Sequence, residues 1–200
     1  MRRILVILLA LLGWTALIIQ FILMMENRVT TKLETTIRFF SFFTILTNII
    51  IACFFSIQIF KLSKELIGHA KGLTPVTIYI TIVGLVYQIL LRHIWNPKGL
   101  QMAVDELLHS IIPVLVIIYW YLYEPKSKSD YVQITKWLIF PIVYLIYILL
   151  RGNFSNFYPY PFINVTNLGI QRVLINSVFM MLGFIVISAL FIRIKKLPIK

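Results

Sequence analysis

Long apolar runs recur along the chain, and short polar stretches that carry glycine, proline and charge separate them. Each run is close to the ~20 residues that an α-helix needs to cross the hydrocarbon core of a membrane. The pattern predicts six transmembrane helices, at about residues 4–25, 37–60, 76–93, 103–123, 134–150 and 173–192. No internal repeat is visible, so residues 1–200 are expected to form a single all-α domain, a polytopic integral membrane bundle.

Composition agrees with this class. The chain is 60% hydrophobic and 13% charged, whereas about a quarter of the residues of a soluble domain are charged. The first apolar run is longer than the core of a signal peptide and lacks a small-residue cleavage site, so helix 1 is expected to be retained. Cys53 is the single cysteine, which excludes an internal disulfide.

The distribution of basic residues predicts the orientation. Twelve of the 19 Lys and Arg residues fall in the amino terminus, the second and fourth loops with the adjoining helix ends, and the carboxyl tail. By the positive-inside rule, both termini are cytoplasmic and the protein lies in the cell membrane. The net charge of +12 then reflects topology and attraction to anionic lipid head groups, and no nucleic-acid partner is expected.

The second predicted helix begins with the polar-containing sequence RFFSFFTILTNII. Ser41, Thr44 and Asn48 are spaced three and four apart and form one stripe of a helix, with Thr47 beside it. In the predicted orientation this stripe lies in the outer half of the membrane. Thr44 is the candidate for chemistry, Thr47 is its alternative, and Asn48 is a supporting group.

The fourth predicted helix begins with DELLHSIIPVLVIIYWYLY, and its polar start also lies in the outer half. Asp105 and Glu106 precede His109 by four and three residues, so both share its helix face. Pro113 has no N–H to give to the carbonyl of His109. Ionisable groups at membrane depth usually face a protein interior or a water-filled pocket, which makes His109 a candidate functional residue.

Together these residues suggest a catalytic pair. The hydroxyl of Thr44 is a weak nucleophile until a neighbouring base takes its proton, and the imidazole of His109 can do so near neutral pH. Asp105 or Glu106 could orient the ring. A purely structural interpretation is also open, in which Thr44 donates to the carbonyl of Phe40 and the histidine lies at the interface.

Arg38, Arg92 and Arg151 are expected near the outer surface, where a guanidinium can bind a carboxylate or phosphate head group with two hydrogen bonds. Snorkelling to the interface would equally explain each of them. Three scattered histidines and one cysteine favour neither a metal site nor a cofactor, so none is expected.

Three segments, FFTILTN, LLHSIIPVLVIIYWYL and YPYPFINV, resemble the small bacterial six-pass relatives of the androgen-induced membrane proteins. The resemblance extends over essentially the whole chain in order and spacing. Eukaryotic members hydrolyse fatty-acid esters of hydroxy fatty acids with a threonine and a histidine. The resemblance implies these roles for Thr44, or Thr47, and for His109, and a membrane lipid or acyl ester as the substrate.

Two other functions remain open. A small, basic, six-helix protein also resembles the substrate-binding component of energy-coupling-factor vitamin transporters, which would make this chain a non-enzymatic solute-binding subunit. The alanine-rich helix surfaces that would favour docking of a partner subunit are scarce here. The third possibility is a structural membrane protein without a small-molecule site.

Overall fold

The structure is a computed structural model that describes residues 2–60, 72–124 and 130–196. The secondary structure of these residues is helical throughout. We number the main helices α1 (Arg2–Glu26), α2 (Lys32–Phe39), α3 (Phe43–Phe60), α4 (Leu73–Leu91), α5 (Leu100–Tyr123), α6 (Gln133–Ser155) and α7 (Val165–Lys196). The all-α class predicted from the sequence is confirmed.

Five helices, α1 and α4 to α7, are each long and apolar enough to cross a membrane, and α2 with α3 makes a sixth span if the bent pair is counted as one. The described residues cluster into two compact units, Met1–Pro125 and Lys126–Lys200. The predicted connection 61–75 falls largely outside the described residues. Positions 126–129 of the fourth loop and the last four residues of the basic tail also lie outside them.

The predicted second helix, 37–60, is wrong as one continuous element. The chain is helical from Lys32, breaks at residues 40–42, and resumes at Phe43 after a bend of 70°. At the break the backbone tightens, because the N–H groups of Ser41 and Phe42 donate to carbonyls only three residues earlier. Thr44 therefore lies in the first turn of α3 and not two turns inside a longer helix.

The core of the first unit forms where α1, α3 and α5 meet. Leu9, Ile51, Phe55 and Tyr119 are completely or almost completely buried there. Tyr119 packs edge-on against Phe55, with 5.0 Å between ring centroids, and its hydroxyl donates to Gln58 Oε1 at 2.8 Å. These contacts hold the carboxyl-terminal parts of α3 and α5 together.

Both α4 and α5 contain a wider, π-helical turn, at Tyr87–Leu91 and Leu107–Ile111 respectively. In α5 this turn directly precedes Pro113, whose missing N–H and bulky ring disturb a regular α-helix. The Ile112 N–H accordingly donates to Leu107 O, five residues earlier. Such turns are rare and frequently lie at functional sites.

The second unit contains α6 and α7, joined by a connection with a short 3₁₀ turn at Pro161–Ile163. Ile148, Ile163 and Val173 are buried together, and Asn176 Nδ2 donates to Phe162 O at 2.8 Å. The backbone of Gly169 has φ 74°, which divides α7 into two helical pieces. Helix begins at Val165, whereas the sequence predicted the last helix to begin at about residue 173.

Candidate active site

Thr44 and His109 lie within hydrogen-bond distance although 65 residues separate them along the chain. Thr44 Oγ1 is 3.3 Å from His109 Nε2. Thr44 is 7% exposed, and the imidazole side chain is 13% exposed. A hydroxyl and an imidazole therefore meet in a largely water-excluded part of the first unit, where α3 begins and α5 widens into its π-helical turn.

The other ring nitrogen of His109 determines which tautomer is present. Nδ1 lies 2.9 Å from the backbone carbonyl oxygen of Asp105 and 3.3 Å from Oδ1 of the same residue. A carbonyl oxygen can only accept a hydrogen bond, so Nδ1 carries the proton. In the neutral ring Nε2 then has a free lone pair, and it accepts the hydrogen bond that the Thr44 hydroxyl donates.

Asp105 is the carboxylate that contacts the imidazole. It is buried, at 6% exposure, and it lies one helical turn before His109 on the same helix. A carboxylate at this position orients the ring and stabilises the imidazolium that forms when Nε2 takes a proton.

Tyr87 on α4 covers the other side of the imidazole. The two rings stack in parallel, with centroids 4.3 Å apart and an angle of 13° between their planes. The phenol is also a neighbour of the Asp105 carboxylate. Sequence reasoning missed Tyr87, and the available signal was its place about one helical turn after Gly84.

Asn48 links α3 to the π-helical turn of α5. Its Nδ2 donates to Thr44 O at 2.9 Å and to Leu108 O at 3.5 Å. Leu108 is five residues before Pro113, so its carbonyl has no N–H partner in the π-helical register. The side chain of Asn48 thus supplies a donor that the proline removes, and it ties the backbone of Thr44 to the turn that carries His109.

Gly84 allows α4 to approach this turn closely. A Cβ atom at this position would lie 3.2 Å from His109 O and 3.3 Å from Pro113 Cβ. Both distances are shorter than ordinary van der Waals contacts, so a larger residue would push α4 and its Tyr87 ring away from α5.

Glu106 does not contact the imidazole. It belongs to a closed ring of side chains between α4 and α5, in which Arg92 Nη2 lies 2.6 Å from Glu106 Oε1 and Arg92 Nη1 donates to Gln88 Oε1. Gln88 Nε2 donates to Ser110 Oγ, which donates to Glu106 Oε2 at 2.6 Å. The ring thereby connects the two π-helical turns.

The three candidate head-group arginines occupy different surroundings. Arg92, with 46% of its side chain exposed, belongs to the closed ring of side chains with Glu106. Arg38 Nε donates to Glu34 Oε1 at 2.8 Å on α2. Arg151 lies in the second unit, where its guanidinium contacts Ser155 Oγ, Phe157 O and the Phe157 ring.

Thr47, the alternative nucleophile, is completely buried, and none of the described groups bonds to its hydroxyl. Ser41 lies in the break before α3, and its hydroxyl donates to Ile37 O at 2.7 Å. Thr44 and Thr47 were the two candidate nucleophiles. In the described part of the chain, only Thr44 has a hydrogen bond to His109.

Within the described ranges, no three His, Cys, Asp or Glu side chains come together in a way that could hold a metal ion. The chain matches no protein-family model, no curated protein and no solved structure.

Proposed function

We propose that the protein is an intramembrane hydrolase of lipid esters, with Thr44 as nucleophile, His109 as general base and Asp105 as the group that orients the imidazole. The observation that carries the proposal is the contact of 3.3 Å between Thr44 Oγ1 and His109 Nε2. The hydrogen bond from Nδ1 to Asp105 O supports it, because it leaves Nε2 as the basic nitrogen.

In the first half of the reaction, His109 Nε2 takes the hydroxyl proton while Thr44 Oγ1 attacks the carbonyl carbon of the ester. The tetrahedral intermediate collapses when the bond to the alcohol oxygen breaks, and the imidazolium returns the proton to that oxygen. The products of this half are the free alcohol and an acyl group on Thr44.

In the second half, a water molecule gives a proton to Nε2 and attacks the acyl carbon. The bond to Thr44 Oγ1 breaks, the imidazolium protonates that oxygen, and the fatty acid leaves. The Asp105 carboxylate stabilises the imidazolium in both halves, since its Oδ1 lies 3.3 Å from Nδ1.

The start of α3 favours negative charge at the reacting centre. Thr44 is the second residue of this helix, and the amino-terminal end of a helix carries a partial positive charge. The break between α2 and α3 places that end at the hydroxyl. An oxyanion that forms there is stabilised more strongly than in water because the surroundings are apolar.

The membrane supplies the substrate in this proposal. The chain lies in the cell membrane with both termini cytoplasmic, so Thr44 and His109 are in the outer half of the bundle. Exposed apolar side chains near the site, such as Phe40 and Ile111, give acyl chains a surface to lie against. Arg38 and Arg92, both partly exposed, are suited to anionic head groups.

The resemblance of the sequence to the androgen-induced membrane proteins assigns the same roles to Thr44 and His109. The alternatives are a solute-binding subunit and a structural protein. A binding subunit would lose affinity gradually in Thr44→Ser or His109→Gln variants, whereas a nucleophile and its base would lose turnover outright.

The deciding experiment is covalent labelling of the purified full-length protein in detergent with a fluorophosphonate probe. We expect the chain to be labelled, Thr44→Ala to lose labelling, and His109→Gln to reduce the labelling rate by about 10² or more. Hydrolysis of a long-chain acyl ester should be lost in both variants.

Thr81→Ala is the matched control, because Thr81 is a partly buried membrane-helix threonine whose hydroxyl only donates to Thr77 O on its own helix. It should label at the normal rate. An unlabelled chain, or labelling that persists in both Thr44→Ala and Thr47→Ala, rules out the proposed hydrolase.

A further inference from the structure

Two side-chain oxygens on α3 are buried without a hydrogen-bond partner among the described residues. They are Thr47 Oγ1 and Asn48 Oδ1, and both residues are 0% exposed. They are consecutive in sequence and lie about one helical turn further along α3 than Thr44. Leaving a buried polar atom unpaired destabilises the folded protein, so atoms of this kind normally have a partner.

The rest of the Asn48 side chain is already committed. Its Nδ2 donates to the carbonyls of Thr44 and Leu108, which fixes the orientation of the amide. Oδ1 must therefore point away from these two carbonyls, towards a different group. This group has to be a donor, since an amide oxygen only accepts hydrogen bonds.

The partner must also be small, because both residues are completely buried. An amide oxygen needs a donor, a hydroxyl accepts or donates, and both residues are sealed from solvent. Water satisfies both requirements, and buried water typically bridges otherwise unpaired polar groups. A lipid substrate would need a large rearrangement to reach atoms this deep.

We propose that ordered water inside the first unit binds to Thr47 Oγ1 and to Asn48 Oδ1, and that this buried water supplies the second half of the proposed reaction. The binding of water stands on burial and unpaired oxygens alone. Its catalytic role rests on the proposed function, because an acyl group on Thr44 needs a nucleophile within an apolar interior.

In that step, water from this site moves up to the acyl carbon and gives one proton to His109 Nε2. Its oxygen forms the new bond to carbon, the bond to Thr44 Oγ1 breaks, and the proton passes on to that oxygen. Thr47 and Asn48 are positioning residues for the water, while Thr44 and His109 carry out the bond changes.

The first test is thermal stability of the purified full-length chain carrying Thr47→Val, which keeps the shape of the side chain and removes its hydroxyl. If water binds there, the substitution takes away one of its partners, and we expect the Tm to fall by about 3 °C. If no water binds to the hydroxyl, removing an unpaired polar atom leaves the Tm unchanged or raises it, and the proposed water site is overturned.

Thr77→Val is the matched control. Thr77 is also 0% exposed, and its hydroxyl donates to Leu73 O within α4, a contact that does not involve water. Because that carbonyl has a helical N–H partner as well, we expect a Tm close to that of the unmodified chain. A fall in Thr77→Val equal to that in Thr47→Val also overturns the water site.

The second test separates the two halves of the reaction with a p-nitrophenyl ester of medium acyl length. Thr47→Val should keep the initial burst of p-nitrophenol, which reports acylation, while steady-state turnover falls about tenfold. Thr47→Ser, which retains the hydroxyl, should restore turnover. Unchanged turnover in Thr47→Val overturns the catalytic role even if its Tm falls.

Failure of the proposed function has a different signature. A burst that survives in Thr44→Ala, or the absence of any hydrolysis, removes the acyl-threonine and with it the role of the water in turnover. The Tm comparison of Thr47→Val with Thr77→Val still decides whether water is bound, since it does not depend on catalysis.

Discussion

At the scale of single residues, the proposed chemistry depends on which nitrogen of His109 carries a proton. A backbone carbonyl, Asp105 O, and a carboxylate oxygen of the same residue both face Nδ1, so Nε2 is the nitrogen with a free lone pair. Thr44 and not Thr47 reaches that nitrogen. Two threonines three positions apart thus differ in what they can do, because the described contacts give only the Thr44 hydroxyl a hydrogen bond to the imidazole.

Gly84 provides a prediction at this scale. Gly84→Val places side-chain atoms where only 3.2–3.3 Å separates a Cβ from His109 O and Pro113 Cβ. Overpacking of this kind costs about 1–3 kcal/mol, so we expect a Tm lower by several degrees. Fluorophosphonate labelling of Thr44 should slow as well, because Tyr87 moves with α4 and no longer supports the imidazole.

Gly183→Val is the corresponding control in α7, since a Cβ at Gly183 meets nothing within 4 Å. There the substitution should leave the Tm unchanged or raise it slightly, because valine has a better helix propensity than glycine. Equal Tm changes in the two variants would contradict the tight approach of α4 to α5.

At the scale of elements, the two π-helical turns face each other across the side-chain ring of Arg92, Glu106, Gln88 and Ser110. This side-chain ring stabilises the protein more through its linked hydrogen bonds than through the ion pair. Arg92 is 46% exposed, and an exposed ion pair adds only about 0–1 kcal/mol to the free energy of unfolding. Its effect is to hold the turn that carries His109 against the turn that begins with Tyr87.

This connectivity predicts non-additive effects. Gln88→Leu and Ser110→Ala remove the same hydrogen bond, so each should lower the free energy of unfolding by about 1 kcal/mol. The double variant should lower it by clearly less than the sum of the two. The measurement is the Tm of the two single variants and the double variant.

Gln58→Leu is the additive reference for this cycle. Gln58 accepts from Tyr119 near the far end of α3 and shares no partner with the ring, so its effect should add to that of Gln88→Leu. Strict additivity of Gln88→Leu with Ser110→Ala would show that the two side chains do not act as a unit.

At the scale of the whole molecule, all residues proposed to act on the substrate carbonyl belong to the first of the two compact units. The second unit contains Arg151, which lies against Phe157 and Ser155. The five to six candidate spans and the distribution of basic residues together predict which ends of the helices face the cell exterior.

Cysteine accessibility tests this orientation. In a Cys53→Ala background, we expect an impermeant maleimide to label Asn27→Cys and Lys98→Cys in intact cells. Asp130→Cys and Lys196→Cys should be labelled only after permeabilisation, because the positive-inside rule keeps both termini cytoplasmic. The opposite labelling pattern would place Thr44 and His109 in the inner half of the membrane.

Local patterns in the sequence predicted most of the secondary structure. Apolar runs of sufficient length located the long helices, and the spacing of Thr44 and Asn48 placed them on one helix face. The break at residues 40–42 was missed, although Thr31 and Glu34 form a capping signature whose Thr31 side chain accepts from Glu34 N. That signature marks the start of α2, five residues before the predicted helix.

The sequence alone determined the helical class, the candidate spans and the placing of a proline four residues after a histidine, because these depend on chain-local hydropathy and backbone chemistry. Only the tertiary structure decided that Asp105 and not Glu106 faces the imidazole, and that Tyr87 stacks on it. The same holds for the hydrogen bond that Asn48 donates to the carbonyl of Leu108. Partners on different helices are selected by the rotation and close approach of those helices, and no local pattern encodes these.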